Sequence, residues 1–345
     1  MRIATLRHDG RTQVDLVSPD GLQLSVLDLP PDAASLGAQT LIEAAAAGRP
    51  LPAAGGRAIA LAEVQLIAPL PRPRRNLFCV GRNYHAHAKE LRETVFKGNN
   101  PDAQAWPIVF TKVPECVVGP DADVRLPGAI SGQIDYEAEL AVVIGAGGRN
   151  IPRADAMAHV FGYTIVNDVT ARDVQMRHGQ WDLGKSFDTF CPMGPWIVTA
   201  DALDGNNTRV RLWVTPAGGA PELRQDALTT DLIFDIATLI ETCSRGITLY
   251  PGDVIATGTP TGVGMGMSPP RWLGHGDVVR IEIDGIGQLQ NRFVAEAPCW
   301  ASGPRPKRRV SQPGRTGRSR WWCPSRPAAW PTPWRARWPR RWGVS

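Results

Sequence analysis

"IDYEAELAVVIG", residues 134–145, decides how the chain reads. Glu139 to Ile144 spells a strand: an apolar run of single-strand length, closed by Gly145. Apolar runs of this kind are buried in a core. Glu137 and Glu139 lie two residues apart, so both face the same way, about 6.5–7 Å from each other along the strand. Two ionised carboxylates leaving a core strand side by side repel. A proton, a cationic side chain or a metal has to offset that. Taken alone, an acidic pair at this spacing is the ordinary mark of a solvated strand face, so its meaning depends on the rest of the chain.

The surroundings are rich in strand signals. "LFCVG", "PIVFTK", "VFGYTIVND", "GPWIVT", "TRVRLWVT", "GDVIATG", "DVVRIEI" and "QLQNRFVAE" are short β-type segments. Helical periodicity is clear in "TTDLIFDIATLIETCSRG", which predicts a helix capped by Thr230 or Asp231 and ended by Gly246, and a short helix is expected at "RADAMAHV". Many strands and few helices indicate an α+β, β-rich roll, not a doubly wound sheet. Residues 1–72 read as a small N-terminal β-rich domain with one helix at "SLGAQTLIEAAAAG", and the Pro/Arg-rich "PLPRPRR" marks its boundary. The main domain then spans 73–296.

The 345 residues carry a formal net charge of +5, but that figure hides a division. Residues 297–345 hold twelve Arg or Lys and no acid, which leaves the first 296 residues at −7. The same segment holds seven of the 12 tryptophans and shows no periodicity, so it reads as a disordered basic Arg/Pro/Trp tail. Its composition is also that of a shifted reading frame in a GC-rich gene. Nucleic-acid binding through Arg and Trp stacking is a weaker reading, because no recognised module accompanies it. No apolar stretch reaches membrane-spanning length and no signal peptide precedes the first strand, which points to a cytoplasmic protein with no membrane partner. The six scattered cysteines lack metal-binding spacing and are expected as thiols.

Four clusters carry candidate chemistry. Asp168, at the end of "YTIVND", supplies a third carboxylate, and an all-oxygen set of Glu137, Glu139 and Asp168 suits Mg²⁺ or Mn²⁺, with Ca²⁺ also compatible. In "VGRNYHAHAKE" a helix beginning near Asn83 puts His87 and Glu90 on one face, a general base oriented by a carboxylate; His85 is a rival. In "WDLGKSFDTF" Lys185 can neutralise a developing anion. In "ATGTPTGVGMG" the backbone N–H groups and the Thr259 hydroxyl can hold a carboxylate. Each has a bland alternative: an incidental His–Glu pair, a surface lysine, an ordinary turn.

As a set, "VGRNYHAHAKE", "IDYEAELAVVIG", "GYTIVNDVTARDVQ", "WDLGKSFDTFCPMGPW", "TLIETCSRGITLYPGDVIATGTPTGVG" and "GDVVRIEIDGIGQLQN" resemble the fumarylacetoacetate hydrolase family, in the family's order, over roughly residues 76–295. Within the family it resembles the bacterial 2-hydroxyhepta-2,4-diene-1,7-dioate isomerases and acylpyruvate hydrolases. The resemblance implies a mixed β-sandwich roll, a homodimer and a divalent metal on Glu137, Glu139 and Asp168. It implies His87, Glu90 and Lys185 as catalytic residues, and Arg82, Tyr84, Arg172, Gln175 and Thr259 as substrate-binding ones. It implies a small-molecule 2-oxo or 2,4-dioxo acid as substrate. Hydrolysis of a carbon–carbon bond by His-activated water is the leading expectation; isomerisation of muconate-type dienoates, or decarboxylation of oxaloacetate, on the same site is the alternative. "KELRETVFKGNNPDAQAWP" is expected as a lid. His85 and the short segment from Gln175 to Lys185 depart from the common family pattern.

Overall fold

In the computed structural model, the described residues are 1–52, 54–87 and 106–296. Ala138–Ile144 forms a strand in which every residue is buried. It lies between two antiparallel neighbours, Val160–Asn167 and Val254–Ala256. A strand paired on both edges and covered on both faces has no use for alternation, and this is why its sequence is continuously apolar.

Around it a large mixed sheet runs in the order Ala54–Ala60, Gln23–Leu27, Arg11–Val17, Arg2–His8, Cys191–Thr199, Val160–Asn167, Ala138–Ile144, Val254–Ala256, Leu77–Gly81, Ile108–Lys112. Most pairs are antiparallel; Val254–Ala256 with Leu77–Gly81 is parallel. A second sheet has five strands, in the order Glu222–Leu228, Arg209–Thr215, Val278–Ile283, Gly287–Ala295, Val124–Leu126. Its alternating residues Val210, Leu212, Val214, Val279, Ile281 and Ile283 turn inward and join the core of the first sheet. The fold is therefore α+β, strand-rich and mixed, as the β-rich sequence pattern indicates. The N-terminal strands form their own meander, and Arg2–His8 hydrogen-bonds that meander to Cys191–Thr199 of the main sheet. The expected tail at 297–345 lies outside the described residues. Among the described residues no helix is long and apolar enough to cross a membrane.

Two helix expectations need correction. The helix predicted to start at Thr230 or Asp231 spans Ile236–Ser244, and its cap is Asp235, whose side chain accepts from Thr238 N at 2.8 Å. Residues 229–231 form a 3₁₀ turn instead, and the chain after it is recruited by Asn83. The Asn83 carbonyl accepts from Ile233 N and its side chain exchanges bonds with Phe234. These tertiary bonds replace the first turn that periodicity alone suggested. "RADAMAHV" gives only a 3₁₀ turn over Ala156–His159. The described cysteines, Cys79, Cys116, Cys191 and Cys243, are buried free thiols.

Candidate active site

Glu137 and Glu139 reach the site by different means. Glu139 projects from the strand Ala138–Ile144, whereas Glu137 precedes it, fixed by backbone bonds from Glu137 N to Asn167 Oδ1 (3.1 Å) and from Asp168 N to Glu137 O (2.9 Å). The second bond also places Asp168, which follows the neighbouring strand. Ligand atoms of Glu137, Glu139 and Asp168 lie within 4.8 Å of one another, and all three residues are buried.

Buried carboxylates this close demand cations, and the fold supplies three. Lys185 Nζ bonds Glu137 Oε2 at 2.6 Å and Asp168 Oδ2 at 2.7 Å. Lys112 Nζ bonds Asp168 Oδ1 at 2.8 Å and also the carbonyls of Val169 and Lys185. Arg172 reaches Glu137 Oε1 at 2.7 Å and Asp135 Oδ2 at 2.8 Å. Burial alone would raise the pKa of Glu137, but Lys185 and Arg172 outweigh it and hold that carboxyl at about 2. Glu139 is the opposite case. Burial, reinforced by Asp168 and Glu137, pushes its carboxyl well up, offset only in part by Lys185 and the backbone N–H of Gly258. That N–H donates to Glu139 Oε2 at 2.9 Å. Gly258 has φ +100, and an added Cβ would lie 2.8 Å from Asn83 Cβ, so the close approach that delivers its N–H requires glycine.

The triad fits a hard divalent cation on chemical grounds: three oxygen donors, and one carboxyl, Glu139, whose charge the protein's own cations leave least compensated.

The triad opens into a cleft shared by polar and apolar side chains. Of the residues expected at the site, Arg82, His87, Glu137, Glu139, Arg172, Gln175, Lys185 and Thr259 line this cleft together. Asp168 lies beneath it, fully buried between the two lysines. The two histidines separate clearly: His87 is buried and lines the cleft, while His85 is exposed. Lys185 is not on a surface loop. It ends the short helix Asp182–Lys185 with its side chain 2% exposed. Thr259 Oγ1 accepts from Gln225 Nε2 at 2.9 Å. The glycine-rich turn does hold a carboxylate through Gly258, but it is the protein's own Glu139.

Tyr84 does not line the cleft. Its backbone bridges to Leu232 and its side chain is buried. Glu90 and nearly all of the expected lid fall at 88–105, outside the described residues. The sequence reading passed over Lys112, Asp135 and Trp181. Lys112 left one signal, a charge ending the apolar run "IVFTK". Asp135 shares the odd-numbered parity of Glu137 and Glu139. It holds Arg172 and accepts from Gly264 N and Met265 N, bracing the cleft wall. Trp181 had no such signal.

Residues 76–294 match the model of the fumarylacetoacetate (FAA) hydrolase C-terminal family. The oxaloacetate tautomerase YisK of Bacillus subtilis (strain 168) is 48% identical over 233 residues, 68% of this chain and 74% of its own. Among solved structures, the fumarylacetoacetate hydrolase EaFAH from psychrophilic Exiguobacterium antarcticum superposes with a TM-score of 0.73 at 40% identity, covering 86% of this chain and 100% of that one. The 5-carboxymethyl-2-hydroxymuconate delta-isomerase of Mycobacterium smegmatis gives 0.67 at 34% identity, with the same two coverages of 86% and 100%.

Proposed function

Because this chain belongs to the fumarylacetoacetate hydrolase family, we propose that it is a Mg²⁺- or Mn²⁺-dependent enzyme interconverting the keto and enol forms of a small 2-oxo dicarboxylic acid of the oxaloacetate type. The observation that carries this reading is the buried Glu137–Glu139–Asp168 cluster at the floor of a cleft that His87 and Lys185 also line. The named substrates of the three similar proteins each bear more than one carboxylate, which supports a dicarboxylic acid.

When bound at the triad, a divalent cation would supply Lewis-acid polarisation of the 2-oxo group and neutralise charge there. The chain's own residues would do the rest. Lys185 holds Glu137 and Asp168 in place and adds positive charge where the C2 oxygen becomes anionic. Arg172, braced by Asp135, fixes Glu137 from the other side. Gln175 and Thr259 offer polar contacts to the substrate from the lining. His87 would take a proton from C3 of the keto acid; the electron pair of that C–H bond forms the C2–C3 double bond, and return of the proton from His87 to the C2 oxygen completes the enol. The reverse sequence restores the ketone.

Hydrolysis of a 2,4-dioxo acid is the second reading, favoured by the likeness to the hydrolase EaFAH. There His87 would deprotonate a water instead of C3. One experiment covers both: full-length chain with Mg²⁺ or with EDTA, followed by the ultraviolet absorbance of enol-oxaloacetate and by NMR of acylpyruvate cleavage. Mg²⁺-dependent loss of the enol without new carbon–carbon cleavage products is expected. Absence of Mg²⁺-dependent turnover in both assays would overturn the proposal.

A further inference from the structure

A substrate held at the triad by its 2-oxo acid end leaves the rest of its carbon chain to lie along the cleft. Two aromatic side chains, Phe110 and Trp181, form part of the wall there. Their contacts set how far each stands from the reacting end. Lys185 Nζ, which bonds Glu137 and Asp168, lies 4.9 Å from the Phe110 ring centroid. The Phe110 and Trp181 centroids are 5.2 Å apart, with the rings set edge to face at 64°. The indole is therefore one ring beyond the ring that packs on the triad's ammonium. At about 1.5 Å per carbon–carbon bond, a four-carbon acid spans roughly 5 Å, so it fits beside the first ring. A bulky group beyond its fourth carbon would enter the ground that the second ring fills.

The indole is held from several sides. Its flat edge lies against the backbone of the strand Leu77–Gly81, where only glycine leaves room: a Cβ added at Gly81 would stand 2.3 Å from Trp181 Cζ3. The next residue, Asp182, accepts through Oδ1 from Thr111 N at 3.2 Å and from Thr111 Oγ1 at 2.7 Å. This ties the start of the helix Asp182–Lys185 to the strand Ile108–Lys112 that carries Phe110. The same helix ends at Lys185, whose ammonium is fixed on two acids. One turn of helix thus carries both the cation at the reacting end and the ring farther along the wall, and it sets the spacing between them. A close-packed ring braced in this way resists displacement by a substrate group.

We infer that Trp181 is a length gauge: it restricts the cleft to short 2-oxo acids and rejects those with a bulky group beyond C4. This rests on the 2-oxo acid reading above.

The test uses full-length protein with saturating Mg²⁺. Calorimetry compares oxamate, which reaches only the reacting end, with N-benzyloxamate, which adds a ring beyond the same chelating end. Neither ligand has a C3 proton to lose. Wild-type protein is expected to favour oxamate. Trp181→Leu is expected to raise the ratio of N-benzyloxamate to oxamate affinity about tenfold or more. The kcat/KM for 2,4-dioxo-4-phenylbutanoate relative to oxaloacetate should rise with it. Trp181→Phe, with a smaller ring, should give an intermediate ratio. An unchanged or lower affinity ratio in the leucine variant, or a wild-type preference for N-benzyloxamate, would overturn the gauge. If oxamate binds but no 2-oxo acid is turned over, the catalytic reading fails, and the affinity ratio still decides the gauge. If oxamate binds neither protein, both readings fall. If the leucine variant does not fold, the phenylalanine variant decides: a raised ratio supports the gauge and an unchanged one refutes it.

Discussion

Glu139→Gln replaces one of three carboxyls whose ligand atoms lie within 4.8 Å of one another, the one that burial, Asp168 and Glu137 push toward its neutral form, and keeps the oxygen that accepts from Gly258 N. Two unit charges at that separation repel by roughly 3–4 kcal/mol at an effective dielectric of about 20. Lys185 bonds Glu137 and Asp168 and so screens part of this, and a proton on the raised Glu139 carboxyl relieves more, leaving a net relief on the order of 1 kcal/mol. The new amide N–H groups can donate to the two remaining acids. In EDTA the variant should therefore resist urea better than the wild type, an unusual sign for a change at a buried polar site. With saturating Mg²⁺ or Mn²⁺ the order should invert. The wild type gains stability as RT ln(1 + [L]/Kd), and the variant, short of one ligand charge, gains little. Urea denaturation of both proteins in both conditions gives four midpoints. A variant destabilised by more than about 1 kcal/mol in EDTA, or one that keeps the wild-type gain from metal, would refute the reasoning.

His87→Asn should lower turnover by about 10²–10⁴ while calorimetric Mn²⁺ affinity stays as in the wild type; undiminished turnover would remove His87 from the mechanism. Gly81→Ala puts a methyl 2.3 Å from Trp181 Cζ3, so a loss of roughly 1–3 kcal/mol in thermal stability and a fall in turnover are expected; a wild-type melting temperature would show that the wall yields freely. Asp15 is fully buried, and burial pushes its carboxyl up to about 6, with Leu27's backbone and His8 offsetting only part of it. Between about pH 4 and pH 6 the folded chain then binds more protons at this site than the unfolded one, so stability falls as pH rises through that window. Asp15→Asn should remove that slope, on the order of 1–3 kcal/mol, in melts taken at pH 4.5 and pH 7; an unchanged slope would assign it to other groups.

Much of the site was legible because it rests on local periodicity. The apolar run Glu139–Ile144 and the i, i+2 spacing of Glu137 and Glu139 indicate a buried strand with two carboxylates on one side; the pleat delivers Glu139, while Glu137, just before the strand, is set by its bonds to Asn167 and Asp168. What the pleat does not contain is the partner across the sheet. Lys112 lies 56 residues from Asp168 in the chain, and nothing near either residue tells of their 2.8 Å contact. The same holds for Trp181 against Gly81, and for Asn83, which draws Leu232–Phe234 out of the predicted helix.

The sequence by itself determined the strand-rich class, the two glutamates on one face and the candidate residues around them, since backbone period and residue chemistry are local properties. The tertiary structure decided which histidine enters the cleft, which lysines neutralise which acid, and that Gly258 serves Glu139. Those outcomes depend on contacts between distant segments, where burial in a low-dielectric core turns an ordinary charge into one that must be paired.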